Sequence, residues 1–242
     1  EILRVWPDDW EIAWNLYCLG SIAFRSGDLT DARQRLEECL VSLRTHEHDA
    51  YRWFEGFVLA HLACVNIHEG QLMQATKELE CSWELLAPRQ ETVDLSLTAF
   101  GLGELFRLQS QLPQAMICFR FSVAKLLEAK RVVGIADCLE GMAKTAAMQE
   151  QSRHSARLLG AADGLRQRLG TPVPQIELAD YERCLSAARR QLDRAIFDEL
   201  WAQGHAMTLP DVVAYIFELT APFGDQSPWA MLVASMIPNL GL

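Results

Sequence analysis

Apolar residues recur along this chain at three- and four-residue intervals, the period of an amphipathic helix, so helices are predicted throughout. The pattern is clearest near the start. Leu16, Leu19, Gly20 and Ala23 fall on one helical stripe, Gly27-Asp28 interrupts it, and Ala32, Leu36 and Cys39 form a second stripe. Two helices joined by a tight turn make a helical hairpin. Gly20 and Ala32 are small enough for its helices to approach closely, and Gly27 supplies a turn conformation that strains other residues.

The same order of residue types returns three times. Leu59, Leu62 and Ala63, a break at Glu69-Gly70, then Ala75 and Leu79 follow 43 residues later, counted between the turn glycines. Ala99, Leu102, Gly103 and Phe106, a break at Ser110-Gln111, then Ala115 and Phe119 follow after 40 more. Leu139, Met142 and Ala143, a turn at Glu150-Gln151, then Ser155 and Leu159 give a fourth copy after another 40. A hairpin cannot bury its apolar face alone, so serial copies are expected to stack, each covering its neighbour.

Over residues 10 to about 165 this pattern resembles the tetratricopeptide repeat, in which small residues at the eighth, twentieth and twenty-seventh positions let two antiparallel helices pack. The spacing of 40–43, against 34 in the standard repeat, implies helices longer by one or two turns. The resemblance implies an all-α, right-handed solenoid of about four long hairpins with a C-terminal helical cap.

Residues 151–219 carry a more particular resemblance. The run from Ser155 through Gly160, Gly164 and Gly170, then Pro172, Pro174, Tyr181, Ala187, Phe197, Trp201, Gly204 and Met207, is similar to the carboxyl end of LuxR-type and SARP-type bacterial regulators. These are signal-transduction ATPases of the STAND class, which place a nucleotide switch before a tetratricopeptide array. Periodicity agrees with helices here. Tyr181, Leu185, Ala188 and Leu192 form one stripe, and Ile196, Phe197, Leu200 and Trp201 another. Thr208 and Asp211, with Pro210 between, predict a capping box. Three prolines lie in the first 171 residues and six in the last 71, which supports a boundary near Gly170. The organisation expected is therefore repeats over 1–169, capping helices over 170–220, and an apolar tail over 221–242. That tail is expected to cap the last hairpin, to pair two copies, or to continue into a further region of a longer chain.

Lys and Arg total 22 against 32 Asp and Glu, a net charge of −10. That balance argues against phosphate-dominated binding to nucleic acid through this segment, and against an anionic membrane surface. No window reaches eighteen uninterrupted apolar residues, so no membrane span is predicted. The seven cysteines form no C-x-x-C pair and suit reduced thiols in a cytoplasmic protein. The opening Glu-Ile-Leu-Arg has neither Met nor a signal-peptide pattern, and reads as part of a longer chain.

Chemistry is sparse. Gly101-Leu-Gly103 lacks the third glycine and the following Lys-Ser/Thr of a phosphate loop, so helix packing explains both glycines. His46-Glu-His48 sits in the loop expected between the first two hairpins. His61, Cys64 and His68 share one helical face, read as a polar groove stripe in preference to a metal site. Glu37 and Glu38 diverge around their helix, and no nucleophile elbow is present. No cofactor, metal or enzymatic activity is expected.

Carried over from the resemblance, the first helix of each hairpin lines a concave groove. The implied groove residues are Trp14, Tyr17, Ser21, Phe24 and Arg25; Phe57, His61, Cys64 and His68; Phe100, Glu104 and Arg107; and Glu140 and Lys144. Aromatic anchors among a few charges suit a protein or peptide partner. Tyr17, Ser21, His61, Leu97 and Gly101 stand where chaperone-binding repeats carry a Lys/Asn carboxylate clamp, so that clamp is absent. The function implied is recognition in a bacterial signalling regulator: binding a partner or a small-molecule inducer, or restraining the ATPase and effector domains. Two alternatives stand beside it. One is an oligomerisation scaffold that dimerises through the tail. The other is a receptor enclosing an apolar ligand among Trp14, Phe57 and Phe100. This register makes Arg107 an exposed residue whose truncation leaves folding within about 0.5 kcal/mol.

Overall fold

The computed structural model describes residues 8–45, 51–89 and 92–218. Among them there is no strand. The helices are α1 (Asp8–Ser26), α2 (Leu29–Thr45), α3 (Arg52–His68), α4 (Leu72–Leu86), α5 (Thr92–Leu108) and α6 (Leu112–Glu128). They continue with α7 (Ile135–Met148), α8 (Ser152–Leu169), α9 (Gln175–Gln191), α10 (Arg194–His205) and α11 (Leu209–Glu218). His46 and His48, and the whole of 221–242, lie outside the described residues.

Successive helices pair: α1 with α2, α3 with α4, α5 with α6 and α7 with α8. One turn geometry joins all four pairs. Gly27, Gly70, Ser110 and Glu150 adopt left-handed backbone, with φ of 89°, 75°, 60° and 60°. The next residue's N–H then donates to the carbonyl five residues back: Asp28 to Ala23 at 2.9 Å, Gln71 to Asn66 at 2.8 Å, Gln111 to Phe106 at 2.8 Å and Gln151 to Ala146 at 2.9 Å. This is a Schellman closure, which satisfies carbonyls orphaned at the helix end. The last two copies keep the turn without glycine, although a left-handed L-residue costs about 1–2 kcal/mol. Pairing of the flanking helices holds them there.

Small residues set the spacing of each pair. A Cβ on Gly20 would come within 2.9 Å of Leu36 Cγ, and one on Gly103 within 2.6 Å of the Phe119 ring. Gly101 is likewise pressed by Leu79 of α4, so packing accounts for both glycines of that pair. Ala32 and Ala115 are fully buried. Leu19 departs from the expected stripe. It is 48% exposed, because the contact line of α1 runs through Ala13, Gly20 and Ala23, and Leu19 points about a quarter-turn away.

Two large apolar clusters run through the repeats. One joins Leu36, Cys39, Phe54, Val58 and Leu59 across α1–α3. The other joins Leu79, Leu102, Phe119, Leu139, Met142 and Leu158 across α4–α8 and takes in Val212 and Ile216 of α11. At the C-terminal end α10 crosses α8 at backbone contact. A side chain on Gly160 would strike the Trp201 carbonyl, and one on Gly204 the Arg157 carbonyl. The Thr208–Asp211 box forms as expected: the Thr208 N–H donates to Asp211 Oδ2 at 3.0 Å and the Asp211 N–H to Thr208 Oγ1 at 3.4 Å. Gly170, at φ 65°, closes α8, and α9 begins after Pro174. Helix α9 packs on α8 and, through Ala188, on Phe197 and Leu200 of α10, and it also reaches back along the repeats to touch α7 and α1.

Leu36 is fully buried against Gly20. Leu36→Ala is expected to lower stability by about 2–5 kcal/mol, as a cavity at such a site does. Urea unfolding followed by circular dichroism measures it.

Candidate functional site

Counted from the left-handed turn residue, Ser21, Cys64, Glu104 and Lys144 occupy one position on α1, α3, α5 and α7. Tyr17, Phe100 and Glu140 share a second, and Phe24 and Arg107 a third. The shared register gives these side chains one common wall. Helix α9 reaches it. The Glu177 carboxylate, in the first turn of α9, accepts a hydrogen bond from His68 Nε2 of α3 at 3.0 Å and from Lys144 Nζ of α7 at 2.6 Å. Arg25 of α1 reaches Asp137 of α7 at 3.5 Å. The far ends of the repeat array therefore meet across the wall.

This arrangement corrects the exposure expected of Arg107. It is 9% exposed and pairs with Glu104 through Nε at 3.2 Å and through Nη2. Cys64, Glu104, Glu140 and Lys144 are buried as well. Amphipathic periodicity marks a face but not whether a later segment of the chain covers it.

A bidentate pair completes the charged layer. Arg166 of α8 donates to Glu140 at 2.6 and 2.9 Å, to Asp137 at 2.6 Å and to the Pro172 carbonyl at 3.3 Å. Four cations, Arg25, Arg107, Lys144 and Arg166, thus face four carboxylates, Glu104, Asp137, Glu140 and Glu177. Balance of this kind is what burial of charge requires. Burial alone would raise the Glu177 carboxyl, but His68 and Lys144 hold it well below the usual range. Burial alone would lower Lys144, but Glu104 and Glu177 hold it up. Burial pushes Glu140 up against the opposing pull of Arg166.

The aromatic end of the wall is built differently. The Phe57 carbonyl can only accept, so His61 Nδ1 carries the proton donated to it at 3.2 Å, and Nε2 accepts from the Tyr17 hydroxyl at 3.3 Å. Burial, with Arg25 nearby, lowers the His61 pKa to about 4. Tyr17 packs on Phe57 with ring centroids 5.0 Å apart, and Phe24 meets the His68 ring edge-on at 5.3 Å. Trp14 is 44% exposed beside Trp10 and Tyr17. Ser21 Oγ is buried without a hydrogen-bond partner among the described residues. Phe57 belongs to the N-terminal cluster, whereas Phe100 packs on Phe119 in the other.

His61 and His68 are engaged with Tyr17 and Glu177, and burial pushes the Cys64 thiol between them up to about 12. Among the described residues no group of three His, Cys, Asp or Glu is placed to hold a metal ion. No helix among them is long and apolar enough to cross a membrane.

Sequence reasoning missed Asp137, Arg166 and Glu177. Asp137 stands at the register position of Trp14 and Phe57, one turn from Glu140. Glu177 follows Pro174 at a helix start, where an acid also reads as ordinary dipole compensation.

An all-helical segment with a charged inner wall is the class that the geometry defines. No family model matches the chain, and no solved structure matches it. Over 82 residues it is 33% identical to proteins of Mycobacterium bovis and Mycobacterium tuberculosis named as HTH-type transcriptional regulators. The match takes in 34% of this chain but only 9% of theirs, so the chain spans a small part of these relatives' length. This likeness is compatible with a regulator-associated segment.

Arg107→Ala takes from the buried Glu104 carboxylate its hydrogen-bonded cation, so it is expected to cost about 3–5 kcal/mol in urea unfolding, not the small loss of an exposed site. Two windows of acid sensitivity are also expected. His61 titrates near 4 when folded against an ordinary 6.5, so stability is full above about pH 6.5 and falls toward pH 4. His154, also held low by burial, contributes to the same window. The depressed Glu177 pKa adds stability that is complete above about 4.5 and is lost only below it. In unfolding titrations at stepped pH, His61→Gln should flatten the upper limb and Glu177→Gln the lower. A wild-type curve level from pH 7 to 5 contradicts the first assignment.

Proposed function

We propose that this chain is a non-enzymatic recognition segment of a multidomain bacterial transcriptional regulator. In this reading the hairpins wind as a right-handed, tetratricopeptide-like solenoid of the LuxR or SARP type, and the inner wall holds a helix. The observation that carries it is Glu177, which ties α9 to both the second and the fourth hairpin. The repeated turns support the solenoid, and the partial identity to mycobacterial regulators supports the setting. The ionisable groups of the wall neutralise one another, which suits positioning more than acid–base turnover.

The mechanism is a population shift between α9 seated on the wall and α9 released. A partner helix or peptide that offers a carboxylate to His68 and Lys144 competes with Glu177 for the wall. An inducer, or the regulator's own ATPase and effector domains, acts by preferring one of the two states.

Glu177→Lys sets like charges against Lys144 and favours release. In the full-length regulator it is expected to change transcription from the regulated promoter about tenfold, the effect of roughly 1.4 kcal/mol on the equilibrium. Arg183→Ala, on the solvent side of α9, is expected to leave output unchanged. If hydrogen exchange shows α9 released in Glu177→Lys while output stays at the wild-type level, the reading fails.

A further inference from the structure

The outer face of α1 carries an apolar stripe that none of the described residues covers. Ile12, Leu19 and Ile22 are 54%, 48% and 65% exposed, and their spacing of seven and three puts them on one side of the helix. The later hairpins show what this stripe is for. Counted from the turn residue, Leu19 corresponds to Leu62, Leu102 and Met142, which are 3%, 1% and 0% exposed. Ile22 corresponds to Val65, Leu105 and Thr145, at 0%, 2% and 0%. Ile12 corresponds to Glu55, Leu95 and Ile135, of which the two apolar residues are 4% and 0% exposed.

In each later copy the preceding hairpin makes the difference. Helix α2 packs on α3, α3 and α4 on α5, and α6 on α7. Polar groups mark two of the three junctions, the same register position at the α2–α3 junction being Val58. Ser82 of α4 meets Thr98 of α5 at 2.8 Å, and the Cys138 thiol of α7 donates to Ser122 of α6 at 3.2 Å. Thr98 and Cys138 share their register position with Asn15, which α1 leaves exposed. Both halves of a hairpin junction, apolar stripe and polar marker, are therefore present on α1 without the hairpin that fills them elsewhere.

We propose that this face is the docking surface for one more helical hairpin of the same build, carried by the full-length protein ahead of Asp8, whose second helix sets a small polar residue against Asn15. The occupant follows from the register. The stripe matches the apolar positions of the hairpin-on-hairpin junctions, Glu55 apart, and the second helix of the copy before packs at every such junction here. The inference uses only this register and stands whether or not α9 acts as a switch.

Hydrogen exchange of the peptide spanning residues 12–22, compared between the 242-residue chain and the full-length protein, tests it. Exchange is expected to be about tenfold slower or more in the full-length protein. Ile22→Glu should leave the melting temperature of the 242-residue chain unchanged, because the side chain is already in water. In the full-length protein the same substitution should restore fast exchange over 12–22 and leave α5 protected. Equal exchange in the two proteins overturns the proposal. So does slow exchange in the 242-residue chain itself, whether it vanishes on dilution, which makes the occupant a second copy, or on removal of residues 219–242, which makes it the tail.

Discussion

A carboxylate taken out of water must be met by positive charge or hydrogen-bond donors, and the placement of α9 depends on that requirement at Glu177. Its two oxygens are divided between His68 on α3 and Lys144 on α7, helices that belong to different hairpins. Moving α9 by a turn in either direction would leave a carboxylate and an ammonium buried apart. Apolar packing by Tyr181 and Leu185 is permissive about register, whereas the ion pair is not. The remaining charges follow the same rule. Arg166 satisfies Asp137 and Glu140 together, Arg107 pairs with Oε2 of Glu104 while the Glu104 Oε1 finds no hydrogen-bond partner among the described residues, and Arg25 closes the layer from α1.

The hairpins bring these groups to one wall because their turns repeat. Four left-handed residues at matched positions, each followed by the same backbone closure, set the phase of every first helix. Small residues such as Gly20 and Gly103 then fix how near its partner lies. A wall phased in this way gathers chemistry from residues 40 to 123 positions apart, as Ser21, Cys64, Glu104 and Lys144 show.

Much of this was legible in the sequence because it is local. The turns at Gly27 and Gly70, the tight spots at Gly20 and Gly103, and the Thr208–Asp211 cap depend on residues a few positions apart or on a pattern repeated in series. Ser110 and Glu150 were placed by spacing even without glycine. Coverage was not legible. Arg107 is buried with Glu104 and feels the charges of Glu177 and Asp180 on a helix some seventy residues onward, and nothing in the α5 periodicity carries that information. Leu19 shows the converse: its apolar character follows the repeat, while its exposure depends on what stands in front of α1.

Charge as well as apolar contact holds α9 to the repeat wall. A double-mutant cycle on Lys144→Met and Glu177→Gln, read by urea unfolding at pH 7, measures this directly. A coupling of about 1–3 kcal/mol is predicted, the range for a buried pair that acts as a unit. Additive losses, with coupling within about 0.5 kcal/mol of zero, would contradict it.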